Sequence, residues 1–138
     1  MKMNLIPFGT TDWTSIEAVE KSAQAGKASI SQALNRLPAA PTAIYPNGAP
    51  FARMMQHGSM SVEVYAPKGV DLQQPHTQDE LYFIQSGTGL LDIAGEKFTA
   101  AAGDVFFVAA GIEHRFENFS EDFVTWVVFY GKEGGEAA

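Results

Sequence analysis

Three histidines, His57, His76 and His114, are the imidazoles of this chain, and it has no cysteine. A thiolate metal site, a disulfide framework and a thiol nucleophile are excluded, which leaves nitrogen and oxygen donors for any chemistry. His76 stands in Gln74-Pro75-His76-Thr77-Gln78-Asp79-Glu80, four residues before a carboxylate. In an extended stretch, side chains two and four apart point to one side, so Gln74, His76, Gln78, Glu80 and Tyr82 share a face. His114 follows a turn signal at Gly111 and shares its face with Phe116 and Asn118. Two neutral imidazoles and one carboxylate can hold a divalent cation and leave positions open, a donor set that suits Zn, Fe, Mn or Ni. His57, in Met54-Met55-Gln56-His57-Gly58, reads as a turn or rim residue.

The elements that position these residues are short strands. From residue 51 onward, apolar and alternating stretches recur at 59–65, 81–85, 90–93, 104–108, 114–119 and 123–130, with glycine turns between them. No helical period intervenes, so the strands must pair antiparallel, as a sandwich or a closed barrel. Residues 123–130 are apolar at nearly every position, which predicts a strand covered on both sides. Its cover is a second sheet, the N-terminal arm or another subunit. In the arm, Thr14-Ser15-Ile16-Glu17 has capping-box form, and Ile30, Ala33, Leu34 and Leu37 fall at helical spacing before Pro38. The proline-rich stretch 38–50, with its Asn-Gly pair, reads as a connector. The expected organisation is an arm over 1–50 with short helices, a barrel over 51–131, and a flexible tail over 132–138.

Two ordered motifs make the chain similar to the cupin superfamily. His76, Glu80 and Gly87 match the first cupin motif; Gly103, Gly111, His114 and Asn118 match the second; only residues 88–102 lie between. The resemblance implies an all-β, antiparallel double-stranded β-helix, the jelly-roll barrel, with His76, Glu80 and His114 as metal ligands. Ala109 stands where the second motif has proline, and the first motif has lost one histidine. Counting back from Glu80, Gln74 replaces it; by the local pattern Pro75-His76-Thr77-Gln78, Gln78 does. Both glutamines and Tyr82 are candidate cofactor-side contacts, while Tyr82 and Phe116 also read as barrel-filling aromatics. Asn118 reads as structural, and Gly87-Thr88-Gly89 as a hairpin turn rather than a phosphate cradle, since a strand follows it. The resemblance further implies one divalent metal ion and a small-molecule substrate or ligand. The chemistry it allows is oxygen activation, as in cupin dioxygenases, or polarisation of a carbonyl or hydroxyl, as in cupin sugar isomerases; the alternative is a non-catalytic ligand-binding or sensing barrel. Cupins pair through their barrels, which predicts a homodimer.

Composition bounds these readings. A chain of 138 residues holds one domain and an appendage, and 46% hydrophobic with 18% charged residues fits a packed core. Nine Lys and Arg against sixteen Asp and Glu give a formal charge of -7, a field that repels nucleic acid and anionic membranes. No apolar run reaches the roughly 18 residues of a membrane span, and the opening residues break off at Pro7 without a signal-peptide stretch. The expectation is a soluble, cytoplasmic protein without nucleic-acid or membrane partners.

Overall fold

Period-two alternation builds the barrel wall. Along Asp79–Ser86 the even-numbered Glu80, Tyr82 and Ile84 are buried, while Phe83 and Gln85 face outward. The computed structural model describes residues 20–21 and 25–137. In chain order its elements are β1 (Glu20–Lys21), β2 (Gly26–Lys27), α1 (Ile30–Asn35), β3 (Phe51–His57), β4 (Met60–Tyr65), β5 (Asp79–Ser86), β6 (Thr88–Ile93), β7 (Glu96–Ala101), β8 (Val105–Val108), β9 (His114–Glu117) and β10 (Val124–Tyr130). The strands β1 and β2 form a small ribbon; a five-stranded sheet has the order β3-β4-β10-β5-β8, and a three-stranded sheet the order β7-β6-β9. Every described pairing is antiparallel. Tyr65, Tyr82, Val108, Val127 and Phe129 of the larger sheet meet Leu91, Ala100 and Phe116 of the smaller one in a single core. This is the all-β antiparallel jelly-roll barrel that the sequence predicts.

Two strands, β3 and β7, have no clear sequence signal, for different reasons. The register of β3 on β4 shifts between Arg53 and Met55, and such a bulge breaks the alternation on which a strand is recognised. Five of the six residues of β7 are exposed, leaving Ala100 as its one buried position, so there is no apolar face to read. The Gly87 turn is also more than a hairpin, because it carries the chain from β5 in one sheet to β6 in the other. Its φ of +80° belongs to the left-handed region, and a Cβ here would come within 2.6 Å of the Phe123 backbone. Only glycine fits both demands.

The helix expected from Ile30, Ala33, Leu34 and Leu37 is α1, capped by Ser29, whose hydroxyl accepts from the Gln32 N–H while the Gln32 side chain returns to the Ser29 N–H. The capping-box pattern at 14–17 lies outside the described residues. Six residues are too few for a stable isolated helix, so packing must hold α1. Ala33, Ile30 and Leu37 lie against Ala52, Met54, Val64, Val124 and Trp126, on the outer face of β3, β4 and β10. The arm therefore covers the apolar last strand on its outer side, and the smaller sheet covers it on the inner side. Residues 132–137 fold back on the barrel: the Gly134 N–H donates to the Thr77 carbonyl at 2.7 Å and the Glu136 N–H to the Asp79 carboxylate at 2.8 Å. No described helix is long and apolar enough to cross a membrane.

Candidate metal centre

The site lies where β5 and β9 begin and where the irregular chain before β5 enters the barrel. Glu80 and Tyr82 come from the inward face of β5, and His114 from the first position of β9. Glu80 Oε1 is 2.8 Å from His114 Nε2, and the Tyr82 hydroxyl is 2.9 Å from the same nitrogen. His114 Nδ1 lies 2.8 Å from the Ile112 carbonyl, an acceptor only, so Nδ1 carries a proton and Nε2 is the atom turned to the centre. His76 is packed edge-on against Phe129, with ring centres 4.9 Å apart, and lies 5.6 Å from the His114 ring.

The residues between 66 and 78 form no strand, so face-sharing by alternate numbers does not apply to them. Instead Asp71 and Gln73 turn inward while Leu72 and Gln74 are exposed. Gln73 Oε1 accepts from the Tyr82 hydroxyl at 3.0 Å and lies 3.0 Å from His76 Nε2. The amide is held in this orientation by its other end, since Gln73 Nε2 donates to Asp71 Oδ2 at 2.6 Å. Asp71 is itself a hub: it accepts from the Tyr65 hydroxyl, the Gln73 N–H and the Phe116 N–H. His76, Gln73, Tyr82, His114 and Glu80 thus form one continuous chain of polar contacts.

Of the sequence candidates, His76, Glu80 and His114 are brought together, and Tyr82 joins them. Gln74 points to solvent, and the Gln78 side chain donates at 2.8 Å to the backbone carbonyls of Ser59 and Gly131. Gln78 is thus a clamp on two loops, and the glutamine at the centre is Gln73. His57 is exposed at the end of β3, and Asn118 is exposed with φ +50°, a turn conformation that asparagine tolerates. Phe116 fills the core, edge-on to Tyr82 with ring centres 4.9 Å apart.

Burial and charge set the protonation of the cluster. Burial, reinforced by His114, lowers the pKa of His76 to about 4, so this ring is neutral at physiological pH. For His114 burial acts downward, but the hydrogen bond and charge of Glu80 and the Ile112 carbonyl outweigh it and the net shift is upward. Burial raises Glu80 despite its His114 contact. Both shifts therefore favour the protonated form of the group on each side of the 2.8 Å contact.

The arrangement fits a cation. One donor atom each from His76, Glu80 and His114 lies within 4.8 Å of the others. Three ligands bound at about 2.0–2.2 Å to one tetrahedral ion stand about 3.3–3.6 Å apart, so the side chains would draw together around a cation by about 1 Å at the widest pair. Glu80 is 1% exposed, yet its Oε2 has no hydrogen-bond partner among the described residues. A bare carboxylate oxygen in such a place is costly unless something positive meets it.

Residues 61–130 match the family profile described as the cupin domain, just over half of the chain. The chain belongs to the cupin family. This cupin is 38% identical over 85 residues to an uncharacterized protein of Streptomyces coelicolor, an alignment spanning 60% of this chain and 81% of that one. Its barrel is similar to KdgF of Halomonas sp. at 16% identity, with TM-score 0.52 over 57% of this chain and 74% of the other. It is also similar to a Cupin 2 conserved barrel domain protein of Salinispora arenicola at 22% identity, with TM-score 0.50 over 59% and 74%. At such identities the likeness to the two solved structures is one of fold.

Proposed function

We propose that this cupin is a mononuclear divalent-metal enzyme acting on a small organic molecule, with His76, Glu80 and His114 as ligands and the Gln73 carbonyl as a fourth, neutral donor. The observation that carries this reading is the buried, partnerless Oε2 of Glu80 within a cluster of nitrogen and oxygen donors. Bound there, Zn, Fe, Mn or Ni would supply Lewis acidity, or redox chemistry in the case of Fe, Mn or Ni. The chain's own residues do the rest. Asp71 fixes the Gln73 amide with its oxygen toward the cluster, the Ile112 carbonyl fixes the His114 tautomer, and the Glu80–His114 pair holds a proton that a cation would displace. Chain purified without contact with a nickel column is expected to carry close to one divalent ion. Because an amide oxygen is a weaker donor than imidazole, Gln73→His is expected to tighten metal binding, while Gln74→His and Gln78→His leave it unchanged. Isothermal titration of the three variants checks this; unchanged affinity in Gln73→His would remove Gln73 from the ligand set.

We further propose a homodimer, formed by the outer face of β5 and the edge strand β8. Leu81 is in register with Phe107, and Phe83 with Val105; Phe107 and Val105 are 54% and 55% exposed. Adjoining apolar side chains on a sheet edge are better covered than solvated. The last strand, by contrast, is screened by α1 around Trp126. Phe107→Glu is expected to shift the light-scattering mass from dimer to monomer, and a monomer mass for the unaltered chain at micromolar concentration would overturn the proposal.

A further inference from the structure

Tyr130, the last residue of β10, is in register with Asp79, the first of β5, so the chain beyond it emerges where the candidate ligands stand. There it turns back on the barrel. The Gly134 N–H donates to the Thr77 carbonyl at 2.7 Å, next to His76, and the Glu136 N–H donates to Asp79 Oδ2 at 2.8 Å, next to Glu80. Asp79 Oδ1 accepts from the Ala110 N–H at 2.9 Å, and the Gly111 N–H donates to the His76 carbonyl at 2.7 Å. Ala110 and Gly111 belong to the turn that leads into His114, and the Ile112 carbonyl of that turn orients the His114 ring. These bonds join the tail, the residues 76–79 and the turn at 110–111 into one connected set. Each candidate metal ligand lies within four residues of a member of it.

The tail is fitted to this place. Asp79 is 4% exposed, and both of its oxygens are engaged by backbone N–H groups from segments far apart in the chain. Gly135 is half-buried against it: a Cβ here would stand 2.9 Å from Asp79 Oδ1 and 3.1 Å from the Ala110 Cβ, and its φ of +89° lies in the left-handed region. Only glycine lets the tail come so close. The fit bears on the metal centre because His76 lies in the segment 66–78, which forms no strand. Its backbone has no ladder of bonds to fix it, so bonds such as those of Thr77 and His76 must do so. The donor atoms of His76, Glu80 and His114 stand within 4.8 Å of one another and have about 1 Å to close around a cation. A constellation of this kind works when its members are held to about 0.5 Å. Segments free to spread at this end would have to be ordered by the cation itself, which lowers its affinity.

We propose that residues 131–136 are a strap closed on Asp79, and that Asp79 and Gly135 are positioning residues that hold the ligand-bearing segments at the spacing a cation needs. The proposal rests on the metal reading of the site and adds what aims its ligands from outside the cluster. Reciprocity provides a test on the unaltered chain: if the closed strap favours the metal, the bound metal favours the closed strap by the same factor. Amide hydrogen exchange is measured with and without zinc. The Gly134, Glu136 and Ala110 amides are expected to exchange at least about tenfold more slowly in the loaded chain, while those of β7, two strands away from β9 at the edge of the smaller sheet, change less. A strap that only covers the barrel would not respond to the ion. Zinc titration of variants is the second arm. Gly135→Val cannot fit between Asp79 and Ala110, and should lower zinc affinity about 10–100-fold, the range for groups that stand behind a metal ligand, with the strand amides of the metal-free chain protected as in the parent. Asp79→Ala removes both acceptors and should lower affinity similarly; Asp79→Asn keeps one acceptor oxygen and should lose less. Glu133→Gln, exposed on the strap and outside these bonds, should bind as the parent does. Parental affinity in Gly135→Val, or strap amides indifferent to zinc, would each overturn the proposal. Should Gly135→Val not fold, exchange in the parent and the order of the two Asp79 variants decide it. The two readings fail distinguishably: a parent chain that takes up no zinc sinks the metal assignment and the strap's role with it, whereas a zinc-binding parent whose strap ignores the ion sinks the strap's role alone.

Discussion

Replacing His114 by Ala is expected to lower the affinity for a divalent metal by at least about 100-fold, since changes to groups merely behind a ligand already cost 10–100-fold. The imidazole does three things that alanine cannot. It presents Nε2 to the centre, meets Glu80 Oε1 at 2.8 Å, and is oriented through Nδ1 by the Ile112 carbonyl. His114→Gln keeps much of the volume, and comparison of its melting curve with that of the alanine variant separates ligand loss from misfolding. Elemental analysis finding the alanine variant as metal-rich as the parent would remove His114 from the centre. The pH dependence has a definite sign. A metal competes with the proton on His114, whose pKa is raised above its usual 6.5, so affinity should be full above that raised value and fall as pH drops through it. The slope should be about one logarithmic unit per pH unit for one displaced proton. His76 contributes nothing to this fall near neutrality, because burial keeps it neutral down to about pH 4.

Glu80 and His114 were legible because each sits in a strand whose spacing transmits to geometry, and His76 through the first motif, which it shares with Glu80. Glu80 is the second residue of β5 and His114 the first of β9, and Tyr82 follows Glu80 by one strand period. Gln73 was not legible, because the rule that singles out Gln74 and Gln78 holds only for extended chain. The segment before β5 is irregular, and it buries Asp71 and Gln73 while exposing Leu72, the reverse of what hydrophobicity would choose. The cause is the hydrogen bonding of Asp71 to Tyr65, Gln73 and Phe116, partners up to 45 residues away. No local pattern encodes that. The barrel itself was legible from strand density and the two glycine-bounded motifs, whereas β3 and β7 were hidden by a bulge and by an almost wholly exposed strand. The cover of the last strand was left open among three candidates; two of them, the smaller sheet and the arm helix, share the task.

Asp71 is where stability and the site meet, and its replacement should have the largest effect on folding. The side chain is 1% exposed and accepts hydrogen bonds from the Tyr65 hydroxyl, the Gln73 N–H and side-chain amide, and the Phe116 N–H. In Asp71→Ala all four donors lose their acceptor inside the barrel. At about 1–3 kcal/mol for each buried group left unpaired, and allowing for relaxation between neighbours, the expected loss is about 4 kcal/mol. That is a large share of the roughly 5–15 kcal/mol that holds a domain together. The melting temperature should fall by 10 °C or more, on the order of 3–5 °C for each kcal/mol at this chain length. A fall of less than about 3 °C would mean that these donors find other partners and that Asp71 is not the hub. Asp71→Asn separates the two roles. It retains one acceptor oxygen and the shape of the side chain, so the barrel should survive, but its amide group now takes the place of one carboxylate oxygen. Where it takes the Oδ2 position it faces Phe116 N–H and the Gln73 amide, and Gln73 relieves the clash by turning its oxygen toward position 71 and its amide group toward His76. An amide group cannot coordinate a cation, so metal affinity should fall in Asp71→Asn although the fold persists, and Gln73→Leu in that background should add little further loss. Parental affinity in a folded Asp71→Asn would show that the carboxylate supports the barrel without aiming the ligand.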